Sequence, residues 1–125
     1  MHQILLVGIG GFIGSACRYI ISGTVHSFFP FALIPYGTLA VNASGCFIIG
    51  LLGGIAETRQ VFSSDMRMFL FIGVLGGFTT FSSFAFETLS LVRDADYLRA
   101  SSNVILQLTI CLILVWIGNS IGRLL

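Results

Sequence analysis

The chain has 125 residues, 56% of them hydrophobic and only 9% charged, with a formal net charge of +1. Soluble domains are typically about a quarter charged, so a chain of mean hydropathy +1.01 has too few polar side chains to cover a water-facing surface. Four spans of roughly 20 apolar residues would consume about 80 residues and leave only short loops. That excludes a soluble catalytic domain and predicts a single four-helix transmembrane domain over residues 1–125.

The first span is expected from Ile4 to Ile21. His2 and Gln3 precede it without Lys or Arg, so the basic flank of a cleaved signal peptide is missing and the span is expected to stay. A loop from Ser22 to Pro35 follows, holding both prolines, Pro30 and Pro35, which lack the amide proton that a helix interior needs. The second span should run from Gly37 to Ala56, ending in a charged loop with Glu57, Arg59 and Asp65. The third should run from Met66 to Leu91. Its middle is irregular: Gly73, Gly76 and Gly77 lead into Phe78-Thr79-Thr80-Phe81-Ser82-Ser83-Phe84. Glycine weakens a helix and hydroxyls compete for backbone partners, so a break is expected here. Arg93, Asp94, Asp96 and Arg99 mark the next loop, before a last span from Ala100 to Ile121.

Three cysteines, Cys17, Cys46 and Cys111, lie in apolar stretches. An odd number buried in helices argues against a disulfide framework and reads as small core residues. Gly10 with Gly14, Gly50 with Gly54, and Gly118 with Gly122 have the spacing that lets membrane helices approach closely. The sequon Asn42-Ala43-Ser44 lies mid-membrane and carries no message. Neither a metal cluster nor a nucleophile constellation is apparent, so no enzyme is expected.

Polar residues form stripes. Thr80, Ser83 and Glu87 share one face of the third helix, and Asn103, Gln107 and Cys111 one face of the fourth. Asn42 in hydrocarbon must find partners, either in helix packing or along an ion pathway. Phe81 and Phe84 alternate with hydroxyls beside this track. A phenyl ring has a positive edge, and ring edges with hydroxyl and amide donors could replace the hydration shell of a small anion. Arg18 either snorkels to the interface or attracts anions to a pore mouth.

All six basic residues are arginines. An even number of spans puts both termini on one side, with Arg59, Arg67 and Arg123, against Arg18, Arg93 and Arg99 on the other. Orientation is set by an excess of basic residues on cytoplasmic loops. With no excess, either the boundaries are misplaced or the chain inserts both ways.

Gly10-Gly11-Phe12-Ile13-Gly14 with Arg18-Tyr19, Gly37-Thr38-Leu39-Ala40-Val41-Asn42 with Gly45, and Gly76-Gly77-Phe78-Thr79-Thr80-Phe81-Ser82-Ser83-Phe84 with Glu87 together resemble the CrcB/Fluc family of fluoride channels. The resemblance implies an all-α membrane protein with a broken third helix, assembled as an antiparallel, dual-topology homodimer in a bacterial inner membrane. It implies two pores, each lined by both subunits, that passively release cytoplasmic fluoride. Asn42, Phe81 and Phe84 would be pore residues, Thr80, Ser83 and Glu87 the polar track, and Arg18 the vestibule arginine. A structural sodium ion would sit at the dimer centre on the backbone carbonyls of Gly76 and Thr79. Where many relatives carry serine on the fourth helix, this chain has Gln107 and Cys111. The implied partners are fluoride, a second copy and lipid, with no nucleic acid. A small multidrug-type proton-coupled exporter is the alternative, although Glu87 stands alone as its carboxylate. A structural accessory subunit is a third.

Overall fold

The computed structural model describes residues 1–31 and 33–125. Every regular element among them is helical: α1 (His2–Phe28), α2 (Tyr36–Arg59), α3 (64–78), α4 (Phe81–Arg93) and α5 (Tyr97–Leu124). Among the described residues, four stretches are long and apolar enough to cross a membrane, the third being Ser64–Arg93, which holds α3 and α4. The fold is therefore the all-helical, four-span architecture expected, with its third span broken.

The helices run past the expected ends. The largest correction concerns Ser22–Phe28, expected as loop and found as the end of α1. Its hydroxyls do not disrupt the helix, because Thr24 donates to the Ile20 carbonyl at 2.8 Å and Ser27 to the Thr24 carbonyl at 2.7 Å. In an apolar surround, a hydroxyl that bonds back to its own helix is compatible with it. At the other end, α5 begins at Tyr97 rather than Ala100, capped by Asp96, whose Oδ1 accepts from the Arg99 N–H at 3.2 Å.

Burial departs from that of a soluble protein, with many large apolar side chains outside and polar ones sharing the interior. Phe12, Trp116 and Leu112 lie on the outside, while Thr38, Thr80, Asn103 and Gln107 are buried; Val41 and Asn103 are the largest fully buried side chains. Apolar groups gain little by hiding from lipid, so the interior is left to groups that pack closely or hydrogen-bond.

Two seams supply the close packing. At the α2–α5 seam, a Cβ on Gly50, Gly54, Gly118 or Gly122 would run into backbone of the opposing helix. The α1–α3 seam is built alike. A Cβ on Gly10 would come within 2.6 Å of the Phe69 carbonyl oxygen, and one on Gly77 within 2.6 Å of the Gly11 carbonyl oxygen. Gly77 and its neighbour Gly73 thus belong to a continuous helix and serve its packing; they do not make the break.

The terminal side assembles as expected. Arg123 pairs with Glu57 at 2.7 Å, Arg59 reaches the Leu125 carbonyl, Arg67 the Ala56 carbonyl at 3.4 Å, and His2 meets Asp65 at 3.0 Å. Arg18 does not lie at the opposite face. With α1 extended to Phe28 it stands ten residues from the helix end (28 minus 18), well inside the span. The balance at the helix ends becomes three arginines against two.

Candidate functional site

α3 winds in wider, π-helical turns over Met68–Leu75 and returns to α-helix at Gly76–Phe78. It stops because Thr79 and Thr80 are extended, at φ,ψ of −79°, 156° and −149°, 113°. Thr80 then restarts the chain as the N-cap of α4: its Oγ1 accepts from the Ser83 N–H at 3.2 Å. A side-chain oxygen in this position satisfies a donor that a helix start leaves open.

A break at membrane depth survives only if its backbone groups are satisfied. Asn42 of α2 satisfies Thr80 on both sides. Its Oδ1 accepts from the Thr80 N–H at 2.8 Å, and its Nδ2 donates to the Thr80 carbonyl at 3.0 Å. In an unbroken helix that N–H would bond the Gly76 carbonyl, which is thereby left free.

These two bonds fix which way the Asn42 carboxamide faces, and the consequence propagates. Nδ2 also donates to Gln107 Oε1 at 3.3 Å. Gln107 must therefore present its oxygen to Asn42, and Cys111 Sγ shares that oxygen at 3.9 Å. Its Nε2 is buried without a hydrogen-bond partner, on a residue only 4% exposed. Backbone, asparagine and glutamine form a directional relay that ends in an open N–H donor.

Gln107 itself lines a cleft of about 320 Å³ whose wall also includes Asn42, Thr79, Thr80, Phe81 and Phe84. Gly76 and Cys111 line it as well, together with Cys46. The Phe81 and Phe84 rings lie 5.3 Å apart at 69°, near edge-to-face. Phe84 is 7% exposed and Phe81 73%, so one ring is fixed in the wall and the other stands on the outer surface.

The remaining expected site residues lie elsewhere. Arg18, Ser83 and Glu87 line a second, wider cavity of about 590 Å³ with Thr38, Ser22 and His26. Thr38 donates to Glu87 Oε1 at 2.5 Å, while Glu87 Oε2 is buried and unpartnered. Thr80 Oγ1 donates to Ser83 Oγ at 3.0 Å, joining the two cavities through the start of α4. Arg18 Nη1 donates to the Thr79 carbonyl at 3.3 Å. It reaches the break rather than a membrane interface.

The stripe on α5 also divides. Asn103 Nδ2 donates to Thr88 Oγ1 at 2.9 Å, away from Asn42, while Gln107 and Cys111 face the cleft. Sequence reasoning passed over Thr38 and Thr88 as partners. Thr38 was detectable, since it precedes Asn42 by four residues and so shares its face of α2.

A family model described as CrcB-like protein, Camphor Resistance (CrcB), matches residues 5–119. The chain belongs to the CrcB family. A fluoride-specific ion channel FluC of Methylobacillus flagellatus is 42% identical over 124 residues, covering 99% of this chain and 97% of the relative. Proteins of the same description from Opitutus terrae (44% over 121 residues, 95% and 91%) and Citrifermentans bemidjiense (41% over 125 residues, 100% of both) are similar. With four spanning helices, this CrcB chain is a multi-pass membrane protein. Its family-like segments converge in space: residues 10–14 form the α1–α3 seam, and residues 37–45 meet 76–84 at the break.

Proposed function

We propose that this chain is a fluoride channel, passively releasing cytoplasmic fluoride as an antiparallel homodimer with two pores. The observation that carries the reading is the Asn42–Gln107 relay in the wall of the cleft beside Phe81 and Phe84, which leaves Gln107 Nε2 a donor without a partner. Fluoride is small, tightly hydrated and a strong acceptor. Leaving water for a mostly apolar cleft is costly unless oriented donors replace the lost shell. The amide N–H, the Ser83 hydroxyl and the positive ring edges are such groups. A narrow path with few, fixed donors selects by size and donor number, which disfavours the larger chloride.

Arg18 would draw anions into the wide cavity, and Ser83 would hand them towards the cleft. Glu87 belongs to the same path through Thr38. In a proton-coupled exporter Glu87 would be the proton carrier. Relatives described as fluoride-specific channels, and a carboxylate held by Thr38, favour the channel.

Dimerisation is supported by an incomplete site: Phe81 and Gly76 border the cleft yet lie on the exposed side of the chain. A second copy would cover them and supply the missing wall. Antiparallel pairing is consistent with three basic end residues against two, too small a difference to fix one orientation. The sodium proposal also fits the donor set. The Gly76 carbonyl has lost its helical donor to Asn42, and Thr79 is extended; bare carbonyl oxygens of a broken helix suit a hard cation. Gly76 and Thr79 would hold it, and its charge would stabilise a Gly76 carbonyl that a second copy would otherwise cover without a donor. Arg18 already engages the Thr79 carbonyl, so the ion would share that oxygen's second lone pair.

Efflux from liposomes holding purified protein tests the reading. Fluoride should pass and chloride should not. Equal rates would overturn the selectivity, and drug-stimulated proton uptake would favour the exporter.

A further inference from the structure

The cysteines are not three equivalent core residues. Cys17 is exposed on α1, contrary to expectation. Cys46 of α2 and Cys111 of α5 both line the cleft. Each stands one turn beyond a residue of the Asn42–Gln107 hydrogen bond that joins these two helices, and one turn before Gly50 and Val115, which abut, so the helix register sets the two cysteines at one level. Both are free and partly accessible. Cys111 Sγ lies 3.9 Å from Gln107 Oε1, on the same glutamine that carries the open donor.

We propose that Cys46 and Cys111 form a two-thiol site for a soft, two-coordinate d10 cation in the wall of the cleft. Sulfur ligands select soft ions over hard ones. Among the described residues no group of three or more His, Cys, Asp or Glu gathers anywhere. The pair therefore lacks the four ligands of a structural zinc site, and suits an ion content with two. Charge narrows the class further. Each thiol loses its proton to water at the cleft mouth as its sulfur–metal bond forms. A divalent ion on two thiolates is then neutral overall, which an apolar cleft accepts, whereas a monovalent ion leaves a net negative charge there. Mercury(II) is the probe that meets each condition. Binding would draw Cys111 Sγ away from Gln107 and fill the space beside the open amide. That such an ion would obstruct fluoride rests on the function proposed above; that it binds does not.

The test uses detergent-purified full-length protein carrying Cys17→Ser, titrated with mercury(II) and followed by thiolate-to-metal ultraviolet absorption. Saturation at about one ion per chain is expected, with release of protons. Cys46→Ser and Cys111→Ser should each lower the affinity at least about tenfold, since one thiolate replaces two. If either variant binds as tightly as its parent, the thiols act separately and the site is refuted. A second measurement needs no change at either position. Stoichiometric mercury should protect both cysteines together from maleimide, read by mass spectrometry; protection of only one would also refute the site. In liposomes of conducting protein, the same ion should block most fluoride efflux, and a dithiol should restore it. Protection of both thiols with unchanged efflux would leave the metal site standing and remove the cleft from the fluoride path.

Discussion

The two ways in which helices meet in this molecule differ in what they demand of the chain. At the glycine contacts of the seams backbone lies on backbone. At the break one carboxamide from α2 replaces the hydrogen bonds that α3 and α4 have given up. The seams tolerate no added volume but are indifferent to polarity. The break tolerates volume, since a cleft lies beside it, but depends on donors and acceptors in a fixed order. The rigid regions hold the helices, and the site is built where rigidity gives way to hydrogen bonding.

The comparison fails first if the seams are forgiving. Gly14→Leu should abolish monodisperse protein in detergent, because its Cβ would overlap the Val74 carbonyl and approach the Phe78 nitrogen within 2.8 Å. Gly8→Leu, with nothing within 4 Å, should behave as the parent. Equal behaviour of the two variants would show that the seam is not tightly packed.

A middle-sized effect is expected at Asn42. Asn42→Ala leaves the Thr80 N–H and carbonyl without partners, at about 1–3 kcal/mol each. The thermal midpoint should fall while helical circular dichroism at low temperature is kept, and fluoride efflux should be lost. Asn42→Asp sharpens the point. It can still accept from Thr80 but cannot donate, so it should recover part of the stability and none of the transport. Normal efflux in both variants would make Asn42 a packing residue.

Gln107→Leu separates stability from function. It removes an unpartnered donor together with the Oε1 that accepts from Asn42 at 3.3 Å; the two changes oppose each other, so the thermal midpoint should move little. Fluoride efflux should slow roughly tenfold or more, about 1.4 kcal/mol in barrier height. Parallel loss of both would mean that Gln107 serves only the fold.

The smallest change in stability is expected at Phe81. Phe81→Ile should leave the chain's stability almost unaltered, since the ring stands on the surface, yet slow fluoride through loss of a ring edge. Phe84→Ile, in the buried wall, should cost more stability, of the order of 1–3 kcal/mol for a change of core shape. Reversal of that order in thermal midpoints would contradict the assignment of one ring to the wall and the other to the surface.

Hydropathy alone was enough to locate four spans, because length and apolarity are properties of a segment by itself. The extent of α1 was not legible. Ser22, Thr24 and Ser27 read as loop residues in water, whereas two of them bond back to the helix. The break was legible to within a few residues, and so was the part of its hydroxyls, since Thr80 caps α4; the glycines named with them serve packing instead, and the role of Asn42 was not legible. Thr80 and Asn42 lie 38 positions apart, and nothing local to either announces the pairing. The same holds for Asn42 with Gln107, 65 positions apart, and for Cys46 with Cys111. Arg18 was misplaced because its position depended on where α1 ends.

The helices are also long. α1 and α5, of 27 and 28 residues, measure about 40 Å at 1.5 Å per residue, against a hydrocarbon slab of roughly 30 Å. Each must tilt or carry its ends into the headgroup region, at a fraction of a kcal/mol per ångström of mismatch. Because α5 lies on α2 backbone to backbone, and α1 on α3 likewise, a tilt imposed on one helix is passed to its neighbour with little slack. α2 carries Asn42 and α3 ends at the break, so bilayer thickness acts on the geometry of the site through the glycine contacts.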